Sequence, residues 1–310
     1  MLRAFAILSL ALAFMVIVLG AYVRLSDAGL GCPDWPLCYG RPLPAEIADA
    51  AAHAKAWKEM AHRYAAATLG VLILVLAILS WRTRSARLAT AILALVVFQA
   101  TLGMWTVTLL LKPAIVTAHL LGGMTTLALL IWLVLSRFVH DVSEEAKKIR
   151  IPAAAALTAL AIQIALGGWV SANYAALACP DLPGCLGQAF PPMDFAGAFR
   201  MLRELGRTGE GGWLPLEALV AIHWTHRMFA LVVVGVAGFA AIRSFQVPAL
   251  RKIGAAVMCL LALQVSLGIA NIAFGLPLAL AAAHNAGAAL LLGALVVLNF
   301  FAFKGLSPST

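Results

Sequence analysis

Residues 20–38 read GAYVRLSDAGLGCPDWPLC, and residues 167–185 read GGWVSANYAALACPDLPGC. The two CPDxPxC units lie 147 residues apart, so Cys32 answers to Cys179 and Cys38 to Cys185. The correspondence continues downstream. EMAHRY (59–64) matches HWTHRM (223–228), FQATLGMWTV (98–107) matches LQVSLGIANI (263–272), and TAHLLGG (117–123) matches AAHNAGA (282–288). His62 therefore pairs with His226 and His119 with His284, at offsets of 164 and 165. The jump in offset puts about 17 extra residues into the second long loop, including RMLRELGRTGEGG (200–212), whose glycines suggest a flexible connection. Self-similarity on this scale makes the chain two related halves.

Composition says what each half is made of. The chain has 310 residues, 63% hydrophobic and 11% charged, where a soluble domain has about 45–50% and 25%. Too little polar surface is available to cover a soluble enzyme, and disorder is excluded because disordered segments are poor in apolar residues. The net charge of +9 comes from basic residues scattered between apolar runs, which excludes a nucleic-acid surface. A membrane span needs about 20 mostly apolar residues. Eight runs qualify: 4–22, 62–80, 88–110, 115–136, 152–171, 218–242, 250–272 and 279–303. The first has the basic start of a signal peptide but no clear small-residue cleavage site, and it reads as a retained span. Four spans per half is an even number, so both halves insert the same way. This is a parallel repeat, unlike the inverted repeats of many transporters. The expected fold is an all-α polytopic membrane protein of eight transmembrane helices, arranged as two parallel-repeat four-helix bundles. The N-terminal half is 1–140, a cytoplasmic linker is 141–150, and the C-terminal half is 151–310.

Basic residues in short loops mark the cytoplasmic side. Arg82, Arg84 and Arg87, then Arg137, Lys147, Lys148 and Arg150, then Arg243, Arg251 and Lys252 follow the even-numbered spans, and Arg3 and Lys304 lie near the ends. That side carries 12 Lys/Arg against Asp141, Glu144 and Glu145, while the opposite side carries 10 of each sign. The whole excess thus faces inward, where it meets anionic lipid. Both termini are expected in the cytoplasm, and loops 23–61 and 172–217 outside.

Ionisable side chains within spans are costly and usually functional. His62, His119, His226 and His284 each fall in the first turns of an even-numbered run, on the outer side. Each half offers two, 57 or 58 residues apart. Two imidazoles facing each other across a bundle suit haem iron. Zinc would prefer a third or fourth protein ligand. Gly70, Gly122, Gly123, Gly287 and Ala288 are candidates to let a flat ring approach the backbone. For any one histidine, an interfacial bond to backbone or water is the simpler account; four in register favour haem. His53 is expected in an amphipathic surface helix and His140 in a cytoplasmic loop.

The halves differ at one position. Glu59 precedes His62 by three residues, and its counterpart is His223. A carboxylate there could handle protons, or it could simply complement a helix N-terminus. Arg63 and Arg227 suit haem propionates or lipid phosphates. The cysteine units lie in an oxidising compartment, so disulfides Cys32–Cys38 and Cys179–Cys185 are expected, as loop staples. A redox role for the first pair stays open. Cys259 reads as a packing residue of span 7.

Taken in order within eight spans, GAYVRLSDAGLGCPDWPLC, EMAHR, TAHLL, the Cys179/Cys185 unit, HWTHR and AAAHN resemble the haem A synthase family of bacteria and mitochondria. The resemblance covers nearly the whole chain and matches the bacterial subgroup with paired outer-loop cysteines. It implies an integral membrane oxidoreductase that converts the ring-position-8 methyl group of haem O to a formyl group, giving haem A for cytochrome oxidases. It further implies haem b on His226 and His284, haem O between His62 and His119, and Glu59 close to the reacting methyl. A haem O-supplying farnesyltransferase and the assembling oxidase are the implied transient partners. An oligomer is compatible with all of this. Two other readings stand beside it. One is a di-haem cytochrome b-like electron carrier. The other is a transporter, favoured only by the repeat-related polar residues Gln99 and Gln264.

Overall fold

The computed structural model describes residues 2–44, 47, 49–138, 143–208 and 211–304. Eight long helices carry the chain: α1 (Leu2–Leu25), α2 (Ala50–Ser80), α3 (Ala86–Thr108), α4 (Pro113–Phe138), α5 (Arg150–Ala172), α6 (Leu216–Ser244), α7 (Arg251–Ala273) and α8 (Leu278–Lys304). All eight are long and apolar enough to cross a membrane, and among the described residues there is no strand beyond isolated bridges. The chain is a multi-pass helical membrane protein. His140, Asp141 and the expected boundary between residues 140 and 141 lie outside the described residues.

Local sequence sets where the helices stop. Between α3 and α4 the backbone enters the left-handed region at Leu110 and Leu111, and Pro113 then opens α4, where a missing N–H costs nothing. Between α7 and α8, Gly275 and Leu276 do the same before Pro277. The main departure from expectation is α2. Asp49 caps it by accepting from Ala51 N at 2.9 Å, and the helix runs unbroken from Ala50 into the apolar run. The surface helix expected around His53 is therefore the first turns of α2 itself. Trp57 Nε1 donates to His53 Nε2 at 3.0 Å on its exposed side.

The helices pack as two rings. α1 contacts α2, α2 contacts α3, α3 contacts α4, and α4 closes onto α1. The sequence α5, α6, α7, α8 closes in the same way. The rings meet through α4 on α5, α1 on α8, and α4 on α8. Small residues let these helices approach, as is usual where no water drives association. Ala6, Ala13, Ala153 and Ala156 are buried in the shared core with Leu130, Leu133, Leu291 and Leu295. Gly168 of α5 leaves room for Leu120 of α4, whose Cδ2 would lie 2.9 Å from a β-carbon placed there. Outward positions such as Val71, Ile78, Val97 and Leu231 are apolar and exposed, as a hydrocarbon solvent requires.

Candidate functional site

Each of the four paired histidines lies against a glycine of the preceding helix. A β-carbon on Gly20 would come 2.8 Å from His62 Cε1; on Gly103, 3.3 Å from His119; on Gly167, 3.1 Å from His226; and on Gly268, 3.3 Å from His284. These glycines stand five residues before the ends of α1, α3, α5 and α7. The rings therefore share one level, about 7.5 Å from those ends at about 1.5 Å per residue. Within each ring of helices the histidines come from diagonal corners, α2 with α4 and α6 with α8. Each pair lies within electrostatic reach. Nδ1 of all four is buried, and the rings of His62, His119 and His284 lie within bonding reach of the backbone of Val16, Gln99 and Gln264.

The glycines expected beside a flat ring do another job. Gly122 and Gly287 leave room for the side-chain amides of Gln99 and Gln264, and Gly70 faces Val96. Gln99 Nε2 donates to His119 O at 2.8 Å, Gln163 Nε2 to His226 O at 3.0 Å, and Gln264 Nε2 lies 3.3 Å from His284 Nε2. These contacts join neighbouring helices and place all three amides beside the histidines. Gln163 and the four histidine-facing glycines escaped sequence reasoning. The signal is a short motif on the odd helices, visible as QATLG (99–103), QIALG (163–167), QVSLG (264–268) and VIVLG (16–20). Positions four apart share one helix face, so the first residue and the glycine meet the same histidine.

Above the histidines, the cysteine loops are bolted to the even helices. The sulfurs of Cys32 and Cys38 are 2.02 Å apart, and those of Cys179 and Cys185 are 1.97 Å apart. In each loop an aspartate closes a tight turn. Asp34 accepts from Tyr39 N at 2.6 Å and Gly40 N at 2.8 Å. Asp181 accepts from Leu186 N and Gly187 N at the same distances. The N–H groups of Gly40 and Gly187 are the main reason both carboxyls titrate below the ordinary 3.8. Arg63 Nη1 donates to Asp34 O at 3.0 Å and Leu37 O at 2.8 Å. Arg227 Nη1 donates to Asp181 O at 2.9 Å and Gly184 O at 2.8 Å, and its Nη2 donates to Cys179 O. Both guanidinium groups thus reach across to carbonyls of their cysteine loop.

Glu59 belongs to this clamp. It is buried, 4% exposed, with Oε1 2.5 Å from Arg63 Nη2 and Oε2 accepting from Cys32 N at 2.9 Å. Glu59 stands in the third turn of α2, not the first, so a helix-terminus dipole does not explain it. In the second ring His223 takes its place and accepts from Arg227 Nε at 3.2 Å. The expanded second loop is more than a linker. Arg203 is buried against Asn173, and Trp169 Nε1 donates to Ala198 O at 2.9 Å. Cys259 is exposed on the outer face of α7, so it packs less than expected. Among the described residues no three His, Cys, Asp or Glu side chains converge as a metal site.

Eight spans with two histidine pairs at one level under disulfide-closed loops define a class of polytopic membrane protein with a duplicated histidine site. Residues 3–296 match the model of the COX15-CtaA family, described as cytochrome oxidase assembly protein, and the chain belongs to that family. It is 41% identical to the Heme A synthase of Shewanella oneidensis over 95% of this chain and 94% of that protein. Similarity extends to the Heme A synthase of Rhizorhabdus wittichii, at 27% identity over 92% of this chain and 89% of that one. It also extends to that of a Caulobacter species, at 29% over 91% and 90%.

Proposed function

We propose that this chain is a membrane oxidoreductase that converts the ring-position-8 methyl group of haem O to a formyl group, supplying haem A for cytochrome oxidases. Family membership supports the activity. In the chain itself, the observation that carries it is the fourfold histidine–glycine arrangement at one level. Ionisable rings inside a span are costly unless they serve a site, and two imidazoles brought from diagonal helices to one level fit a flat metallated ring between them.

In the C-terminal half (151–310), His226 and His284 would hold haem b, which supplies a one-electron relay when bound. In the N-terminal half (1–140), His62 and His119 flank substrate haem O. Its farnesyl tail suits a site bounded by helices and lipid. Taking the methyl to a formyl group needs one oxygen atom from water or dioxygen and a net loss of protons and electrons, and Glu59, one turn from His62, is a buried carboxylate that would take a proton. Cys32 and Cys38 hold the N–H that orients Glu59. Arg63 and Arg227, next in sequence to His62 and His226, would offer cationic side chains to haem propionates.

The two-bundle parallel repeat draws support from matched details. Left-handed residues recur in register at Asp27 and Tyr174, at Tyr39 and Leu186, and at Leu111 and Leu276. Equivalent residues also touch one another. Arg24 Nη2 donates to Ser171 O at 2.7 Å and Tyr174 Oη to Asp27 Oδ1 at 3.0 Å, each across 147 positions. Contacts between equivalents are what a pseudo-two-fold axis between α1 and α5 produces. The charge asymmetry favours a bacterial inner membrane with both termini cytoplasmic and the haem level near the outer face. Transient contact with the haem O synthase and the assembling oxidase follows from the substrate and product.

Extraction and pyridine-haemochrome spectroscopy of the purified protein, expressed with and without a haem O supply, test the reading. Protohaem is expected in both, with haem O or haem A added only in the first. Protohaem without any formyl-haem, despite haem O and an electron partner, would make the chain an electron carrier instead.

A further inference from the structure

Three of the four histidines have a glutamine of the preceding helix beside them, and the fourth does not. Gln99 and Gln163 donate to the backbone carbonyls of His119 and His226 at 2.8 and 3.0 Å. Gln264 lies 3.3 Å from the ring of His284. The first position of the same motif on α1 is Val16. Valine offers no amide, so no side chain from that position ties α1 to the helix turn carrying His62. Gly20 also sits tighter on its histidine than the other three glycines do, with 2.8 Å against 3.1–3.3 Å for a β-carbon to Cε1. The turns of His119 and His226 are thus tied by a glutamine amide, His284 has Gln264 against its ring, and at His62 only packing and the Val16 backbone take that place.

We propose that Val16 makes His62 the releasable histidine of the substrate pair, with Gln99 keeping His119 as its fixed partner and Gln163 and Gln264 keeping both histidines of the second ring in place. This rests on the reading of the first ring as the haem O site. It resolves a conflict in that reading. A site that must admit substrate, expose it to chemistry and let product go cannot grip from both faces at all times, whereas a permanent relay must. The difference is one side chain in four, at equivalent positions of one motif. Val16 and the three glutamines are positioning residues, since they act through the histidines.

The test exchanges the two side chains. In the reduced protein, carbon monoxide binds iron only where an axial histidine lets go, and the difference spectrum reports it without turnover. Haem O content reports the first ring and protohaem the second. Gln163→Val should raise carbon monoxide binding per retained protohaem about threefold, the value of one interhelical hydrogen bond within a membrane. Val16→Gln should lower carbon monoxide binding per haem O by about the same factor and raise the haem O retained through purification. His62→Ala should keep haem O, while His119→Ala should lose it. Unchanged carbon monoxide binding in Gln163→Val with protohaem intact, or loss of haem O in His62→Ala with retention in His119→Ala, overturns the proposal and leaves the proposed function standing. A wild-type protein with no haem of any kind overturns both.

Discussion

The two rings share a plan and differ at two positions beside the histidines. At the loop clamp the first ring has Glu59, bonded to Arg63 and to the disulfide loop, where the second has His223 bonded to Arg227. On the preceding helix the first ring has Val16 where the second has Gln163. Everything else that fixes the histidines is duplicated: the glycine behind each ring, the aspartate-closed turn, the disulfide and the arginine across its carbonyls. The two differences fall beside the same histidine, His62, which has a carboxylate three residues before it and no glutamine on the preceding helix. The second ring has His223 at the clamp and a glutamine beside each of its histidines, which is the arrangement expected of a site that keeps what it holds.

The largest effect that could break this contrast comes from the histidines. His226→Ala or His284→Ala should abolish stable protohaem binding, because the second ring is proposed to grip its haem from both faces at all times. His62→Ala should leave protohaem at its wild-type content. Haem extraction after purification reads both. Equal protohaem loss from either ring would mean that the two sites are not specialised.

The clamp position gives the next largest difference. Glu59→Ala should leave protohaem in place and lower haem A formation on the order of a hundredfold, the usual share of a positioned proton acceptor. His223→Ala removes a single hydrogen bond from Arg227 and should cost about 1 kcal/mol of stability with product formation unchanged. Product assays beside denaturation of the detergent-solubilised protein separate the two. Full product from Glu59→Ala would reduce Glu59 to a loop tie and leave Val16 as the sole functional difference between the rings.

Much of this contrast was legible before the structure. Composition alone required eight spans, and the repeated cysteine and histidine motifs aligned the halves residue by residue, because hydropathy and duplicated polar residues survive in a linear pattern. The Glu59/His223 difference was equally plain. What stayed hidden were relations between helices. Glycines beside the histidines in sequence, such as Gly122, looked like the thin wall, but the wall is made by Gly20, Gly103, Gly167 and Gly268 on other helices. Arg63 and Arg227 could be read as facing propionate or lipid because a loop folded back over the helix leaves no periodic signal. The start of α2 was placed late, since residues 50–61 are polar enough to look like loop and are helical through the Asp49 cap and continuity with the span.

The smallest effect concerns a feature in which the rings should not differ at all. Asp34 and Asp181 each close a turn by accepting two backbone N–H bonds, and both are held below 3.8 chiefly by the N–H of Gly40 or Gly187. A carboxyl whose folded value is depressed stabilises the fold fully above its unfolded value, and that contribution disappears as the pH falls through the folded value. Above the ordinary carboxylate range both turns should therefore be intact, and on acidification below 3.8 both should open. Amide exchange at Tyr39 and Gly40 against Leu186 and Gly187 reads the two turns separately. Parallel loss of protection is expected, since each turn has the same bond lengths and an arginine across its carbonyls. If the first turn opened at a higher pH than the second, the Glu59–Arg63 pair would have to be drawing Arg63 away from Asp34, and the specialisation of the first ring would reach out into its loop.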